Sequence, residues 1–237
     1  AAFDPAYTGD QPAFAVGRVG KAVAWESFDG VRHDLEDPIT ACQIDVIGIL
    51  PRGDTQDLAD EVLSRCAQLN IIPEHFSIDR TGTGIGVHDI IRRQWKAKAK
   101  TGSFEENSAP IYGINYAQSP TEVKVCEEDT QTPKELYDRI CSELWYAAAK
   151  MFEFGYVKIG RAVDSAVYEE WAARRGGSKV GQGKKQSVEG KDDYKSRTGK
   201  PSPDRADAAN MLLHVMRCTN AALIPKAKDT EPDKQEL

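Results

Sequence analysis

The sequence predicts an α/β fold, a mixed β-sheet flanked by helices on both faces. Two observations predict it. The first fifty residues read as consecutive strands with no helix between them, which makes that part of the sheet antiparallel. From residue 54 onward, helical periodicities alternate with short strand-like runs, the pattern of strands joined by crossover helices. The length of 237 residues, 40% of them hydrophobic, fits one large domain or one domain with an appended arm.

The elements follow in order. The chain begins abruptly inside an apparent strand, "AAFDPA", without an initiating Met, and so reads as a piece of a longer protein. Residues 12–29 alternate small and apolar residues around Gly17 and Gly20, as two antiparallel strands joined by a turn there would. Residues 41–50 form a third strand, closed by Pro51 and Gly53. Apolar positions 58, 62, 63, 66 and 69 give a helix over 54–70 with Asp54 as its cap. A short strand at 75–81, a helix from Gly84 to Trp95 and a strand at 111–117 come next. The longest helical pattern, 132–154, has Thr132 as cap and Pro133 at its first position. A strand at 156–160 and a helix at 164–175 lead to a glycine- and lysine-rich stretch, 176–200, that reads as a loop or a β-hairpin. The last helix covers 202–220, and the polar tail 225–237 reads as disordered, leaving 1–224 as the domain.

No run approaches the roughly 18 apolar residues of a membrane span, and no secretory leader is visible. Cysteines 42, 66, 126, 141 and 218 are odd in number and lack CxxC spacing, which argues against a disulfide framework or zinc site and for buried thiols in a cytoplasmic protein. The net charge of −6 hides a segregation. From Arg174 to Lys200, nine basic residues face only Glu189, Asp192 and Asp193, and "RRQWKAKAK" (92–100) is a second basic run. Such a division suits a protein that grips an anion with one face, although two solvated basic loops would read the same way.

The acidic residues carry the chemistry. Asp4 in "FDPAYTGD" ends the first strand, Asp79 in "SIDRTGTGIG" ends a later one, and Asp204 and Asp207 open the last helix. Strand ends and helix starts meet at one edge of a layered sheet, where ligand sites form. Carboxylates gathered there repel one another unless a cation neutralises them, and oxygen-only donors favour Mg²⁺ or Mn²⁺. Two such ions about 4 Å apart suit in-line phosphodiester cleavage. Each acid also has a plainer reading. Asp4 before Pro5 starts a turn, Asp79 bonds to its own glycine loop, and Asp10 reads as a loop residue. With Ser202 as cap and Pro203 at the first helical position, the acids at 204 and 207 complement the helix dipole. The loop "TGTGIG" lacks the Lys-Ser/Thr ending of a phosphate-binding loop and reads as letting the following helix approach the sheet beside Asp79.

"FDPAYTGD", "SIDRTGTGIGVHDII", "SELW" (142–145) and above all "VEGKDDYKSRTGKPSPDRADA" (188–208) resemble the C-terminal nuclease domain of tailed-bacteriophage large terminase subunits. The resemblance implies an RNase H-like fold and a metal-dependent endonuclease, using two Mg²⁺ or Mn²⁺ ions, that cuts concatemeric viral double-stranded DNA during packaging in the host cytoplasm. It implies the acidic triad Asp4, Asp79 and Asp204, with Asp207 as a further candidate ligand. It also implies DNA contacts from the basic segment, for which Lys184, Lys185, Lys191, Lys195 and Arg197 are the candidates, and a viral portal and small terminase subunit as partners. No Walker motif is present, so ATP hydrolysis is not expected of this chain. Glu143 and Trp145 of "SELW" are expected to pack and cap local structure. Another RNase H-like nuclease such as a Holliday-junction resolvase shares the acids. "IDRTGTG" also resembles an actin-like ATP-binding loop, and a non-catalytic docking module for a viral portal or small terminase subunit is a third class.

Overall fold

A computed structural model describes residues 1–6, 10–26, 30–100, 112–127, 129–178 and 185–220. Among them, a six-stranded mixed sheet runs β5(Tyr112–Ile114), β4(Ser77–Asp79), β1(Ala2–Asp4), β2(Ala13–Glu26), β3(Arg32–Ile49) and β6(Val157–Ile159) across its width. β1, β4 and β5 are mutually parallel, whereas β2 pairs antiparallel with both β1 and β3. The expected mixed sheet is therefore the one observed.

Period-two alternation sends successive side chains of each strand to opposite faces. Phe3, Phe14 and Ile78 point to one face, where they pack with Leu58, Val62, Leu63, Val87 and Ile91 of α1(Thr55–Gln68) and α2(Gly84–Lys100). Ala2, Ala13, Ala15 and Ile114 point to the other, against α4(Ile140–Glu153) and α7(Asp204–Thr219). Small residues dominate that second contact, so α7 lies close on the sheet. Gly17 sits in this contact. A Cβ there would stand 2.4 Å from the Gln43 carbonyl oxygen and 3.2 Å from Leu212 and Met216.

Several local expectations need correction. Gly17 and Gly20 lie inside β2 and make no turn; the β2–β3 connection falls after Glu26, with Gly30 at φ 84°. The third strand starts at Arg32, not near 41. The 132–154 helix breaks in two. Thr132 and Glu135 do form a capping box on α3(Pro133–Leu136), but the chain then turns extended so that Tyr137 bridges Gln186 and the Asp138 amide donates to the Gln186 carbonyl. The basic stretch is partly the hairpin β7(Gly176–Ser178)–β8(Gln186–Val188), but it continues as a helix, α6(Lys191–Thr198). Acids in the first turn of α6, basic residues in its last and a left-handed Gly199 beyond it all favour that short helix. α5(Ala166–Ala173) packs beside α7. None of the five cysteines forms a disulfide; Cys218 is half-buried and the others are buried. No helix among the described residues is long and apolar enough to cross a membrane. The tail expected at 225–237 lies outside the described residues.

Candidate active site

Asp4 and Asp79 are the last residues of two parallel neighbouring strands, so their backbones end side by side. The strand period fixes their direction. Ala2, two residues before Asp4, packs on the α7 face, and Ser77, two before Asp79, donates its hydroxyl to the Met211 carbonyl of α7. Both carboxylates therefore face α7, whose first turn carries Asp204 and Asp207. All four are buried, at 7% exposure or less.

The capping explanation for the last pair fails on geometry. α7 starts at Asp204, with Pro203 in the cap position and no side-chain capping bond. Asp204 Oδ2 instead accepts the backbone N–H of Gln11 at 2.8 Å. Asp207 Oδ1 accepts the Trp145 indole N–H at 2.9 Å and the Arg174 guanidinium at 3.0 Å, while Arg174 also lies over the Trp145 ring.

A lysine fills the space between these acids. Lys191 Nζ, from the first position of α6, lies 3.4 Å from Asp4 Oδ2, 3.4 Å from Asp204 Oδ1 and 3.0 Å from Asp207 Oδ2. Asp79 stands just outside this group, its Oδ1 taking the Thr81 amide at 2.7 Å. Burial pushes Asp4 well above the ordinary carboxylate range despite Lys191, and the neighbouring acids push it further. Burial likewise raises Asp79 and Asp204. Asp207 is raised by burial too, but Lys191 and Arg174 outweigh that and leave it below the ordinary value. Lys191 is held well above its ordinary value, because Asp4, Asp207 and Asp204 overcome its own burial.

The donor set suits a hard divalent cation, since it is made of carboxylate oxygens alone. Yet no three such side chains among the described residues stand close enough to hold an ion as they are. The lysine explains the spacing. An ammonium at 3.0–3.4 Å holds its oxygens farther apart than an ion with ligands at about 2.1 Å does. Asp4, Asp204 and Asp79 each keep an oxygen free of backbone or Arg donors, and these could hold a cation once Lys191 withdraws.

The glycine loop behaves as its sequence suggests. A Cβ on Gly84 would stand 2.0 Å from the Asp79 carbonyl oxygen, so glycine lets α2 start against the end of β4. The amides of Gly84, Ile85 and Gly86 bond to Thr81, Gly82 and Thr83 and are not held open for a phosphate.

The other basic candidates are engaged with the protein. Lys195 pairs with Asp10 at 2.6 Å, one helical turn from Lys191, and so borders the site. Arg197 binds Glu189 and the Ala173 carbonyl, and Lys185 donates to the Lys134 carbonyl. Lys184 lies outside the described residues. Sequence reasoning passed over four residues at this centre. By sequence Asp10 reads as a loop residue and Trp145 as local packing, and Arg174 is one of the basic residues of the 174–200 segment. Tyr116 follows Ile114 at the strand period, a signal that places it on the α7 face. Glu143 packs inside the fold but not locally, accepting from Thr121 and from Arg217 at the far end of α7.

No family model and no curated protein sequence matches the chain. Solved structures do. The nuclease domain of the large terminase subunit gp2 of bacterial virus Sf6 superposes with a TM-score of 0.61 and 19% identity, over 89% of this chain and 85% of that one. A mutant of that domain with manganese and β-thujaplicinol gives 0.62 and 18%, over 89% and 85%. A mutant with calcium gives 0.60 and 18%, over 89% and 86%. The chain has the fold of a terminase nuclease domain. In this chain's sheet the strand that ends in Asp4, β1, lies at the centre, between β4 and β2.

Proposed function

We propose that this chain is a divalent-metal-dependent endonuclease that cuts double-stranded DNA with little base preference, in the terminase role of cutting concatemeric viral DNA during packaging. The observation that carries the reading is the convergence of buried carboxylates from two strand ends and a helix start in a terminase-nuclease fold: Asp4 and Asp204, with Asp207, meet at the Lys191 ammonium, and Asp79 ends the strand beside Asp4. Solved relatives of that fold with manganese and with calcium support a divalent ion here.

Asp4, Asp79 and Asp204 would hold the ions, two of Mg²⁺ or Mn²⁺, because their donors are carboxylate oxygens alone. Bound there, the ions supply Lewis acidity that activates water and neutralises charge on the leaving oxygen. The Gln11 and Thr81 amides fix one oxygen each of Asp204 and Asp79 and so aim the other. Lys191 is the counterion that keeps the buried acids together before metal enters. Asp207, saturated on one oxygen by Trp145 and Arg174, holds Lys191 with the other and is the least suited of the four to a metal. Lys191 and Lys195, with Arg197, Lys185 and Lys184 along the same segment, supply positive charge for DNA phosphates. The terminase role brings a viral portal and a small terminase subunit as partners, in the host cytoplasm.

Plasmid digestion tests this. Supercoiled DNA should be nicked and linearised with Mn²⁺ or Mg²⁺ and left intact with EDTA. Equal cutting in EDTA, or none with any divalent ion, refutes it.

A further inference from the structure

The reading above leaves one enclosed group at the carboxylate centre without a task. Tyr116 lies two residues beyond the end of β5, at the same sheet edge where β1 ends in Asp4 and β4 in Asp79. The tyrosine is half-buried as a whole, but its hydroxyl is sealed from solvent and has no hydrogen-bond partner among the described residues. The rest of the residue is held firmly. Its amide donates to Thr81 Oγ1 at 3.2 Å, and the amide of that same Thr81 donates to Asp79. Lys191 Nζ sits 5.7 Å from the ring centroid. Asp207, Asp4 and Asp79 are the acids whose charge the hydroxyl senses.

A sealed hydroxyl with no partner destabilises a fold, and a Phe of the same shape would avoid that cost. Its surroundings say what would satisfy it. The hydroxyl is a hydrogen-bond donor on a ring beside the cation and carboxylates of the candidate site, and the group that a phosphodiester brings to those carboxylates is an anionic oxygen acceptor. We propose that, once Lys191 withdraws from its place over the ring, the Tyr116 hydroxyl donates a hydrogen bond to a non-bridging oxygen of the phosphodiester bound at the carboxylate centre, which makes it a substrate-contacting residue. The inference rests on the nuclease reading. It gives the site a neutral donor that complements the lysines: Lys191 and Lys195 attract any phosphate, whereas a phenol on a ring tethered to the Asp79 loop fixes where one phosphate sits relative to the acids.

Tyr116→Phe is the test, measured with the parent on a short fluorescent duplex in Mn²⁺. The variant should melt at or above the parent temperature, since it loses an unpaired buried group. Its kcat/KM should fall by about 10- to 100-fold, the scale of one hydrogen bond to a charged acceptor. Unchanged kcat/KM overturns the proposal and leaves the nuclease reading standing, because that reading depends on the acids. A melting temperature several degrees below the parent shows a structural hydroxyl and overturns it too. A parent that cuts nothing under any divalent ion removes the nuclease reading and this inference with it.

Discussion

At the scale of single residues, the four aspartates divide by what already satisfies them. Asp4 is a buried carboxylate pushed upward by desolvation and by its acidic neighbours, so its charge costs the fold stability above the ordinary carboxylate pKa. Asp4→Asn should therefore melt at or above the parent temperature at pH 7.5 while plasmid cleavage falls by orders of magnitude, and Asp79→Asn and Asp204→Asn should follow it. Asp207 is the opposite case. Its pairing with Arg174 joins side chains only 1% and 2% exposed. Breaking a buried pair from one side costs about 3–5 kcal/mol, or about 10 °C in a chain of this size. Asp207→Asn should thus be the one variant of the four that melts clearly lower. Melting curves beside cleavage assays for the four proteins check both halves. An Asp204→Asn protein that melts low and cuts normally would return the helix-opening pair to structural work.

At the scale of elements, α7 joins the site to a second buried polar group at its far end. There Arg217 donates to Glu143 of α4 and to the Val123 and Lys124 carbonyls, and Glu143 takes both the amide and the hydroxyl of Thr121. This network ties the 121–124 loop to two helices. His214 completes it, its Nδ1 3.3 Å from Arg217 and its Nε2 3.6 Å from Cys218 Sγ. Burial, then the Arg217 charge, pushes this histidine down to about 3. Between the ordinary value near 6.5 and about 3, the unfolded chain binds a proton that the folded chain refuses, so stability falls as pH falls through that window. By pH 5 the loss is about 2 kcal/mol. Asp4, Asp79 and Asp204, raised in the fold, pull the other way, so the comparison must be between variants. His214→Gln keeps an acceptor for Arg217 and does not titrate. Its melting temperature should drop less than the parent's between pH 7.5 and pH 5, and equal drops would show that His214 is not the group responsible.

At the scale of the whole molecule, the positions of the acids at two strand ends and a helix start were legible because such ends are local signals, and the layered fold brings them to one edge. The strand order, with β1 between β2 and β4, is what converts those signals into proximity. Two kinds of information were not legible. Gly17 looked like turn chemistry, yet it serves the approach of α7, a contact made by Leu212 and Met216 far along the chain. α6 has a single buried residue, Tyr194, and so lacks the apolar periodicity that reveals a helix. Without the α6 helix, Lys191 reads as a DNA contact but not as the cation already seated among the acids. That seating yields a global expectation. Asp4, Asp79 and Asp204 come from distant parts of the chain, so a divalent ion gathers them only in the folded state and must raise its melting temperature by mass action. At an ion concentration of about 100 times Kd the gain is about 2.7 kcal/mol, or roughly 5–10 °C. In the parent, part of this gain is offset by displacing Lys191 from three carboxylates. Lys191→Ala should consequently melt below the parent in EDTA, where the acids lose their counterion, and show the larger upward shift when Mn²⁺ is added. Equal shifts in the two proteins would mean that metal and lysine do not compete for the same oxygens. An ion that shifts neither protein would place the metal site elsewhere than among these aspartates.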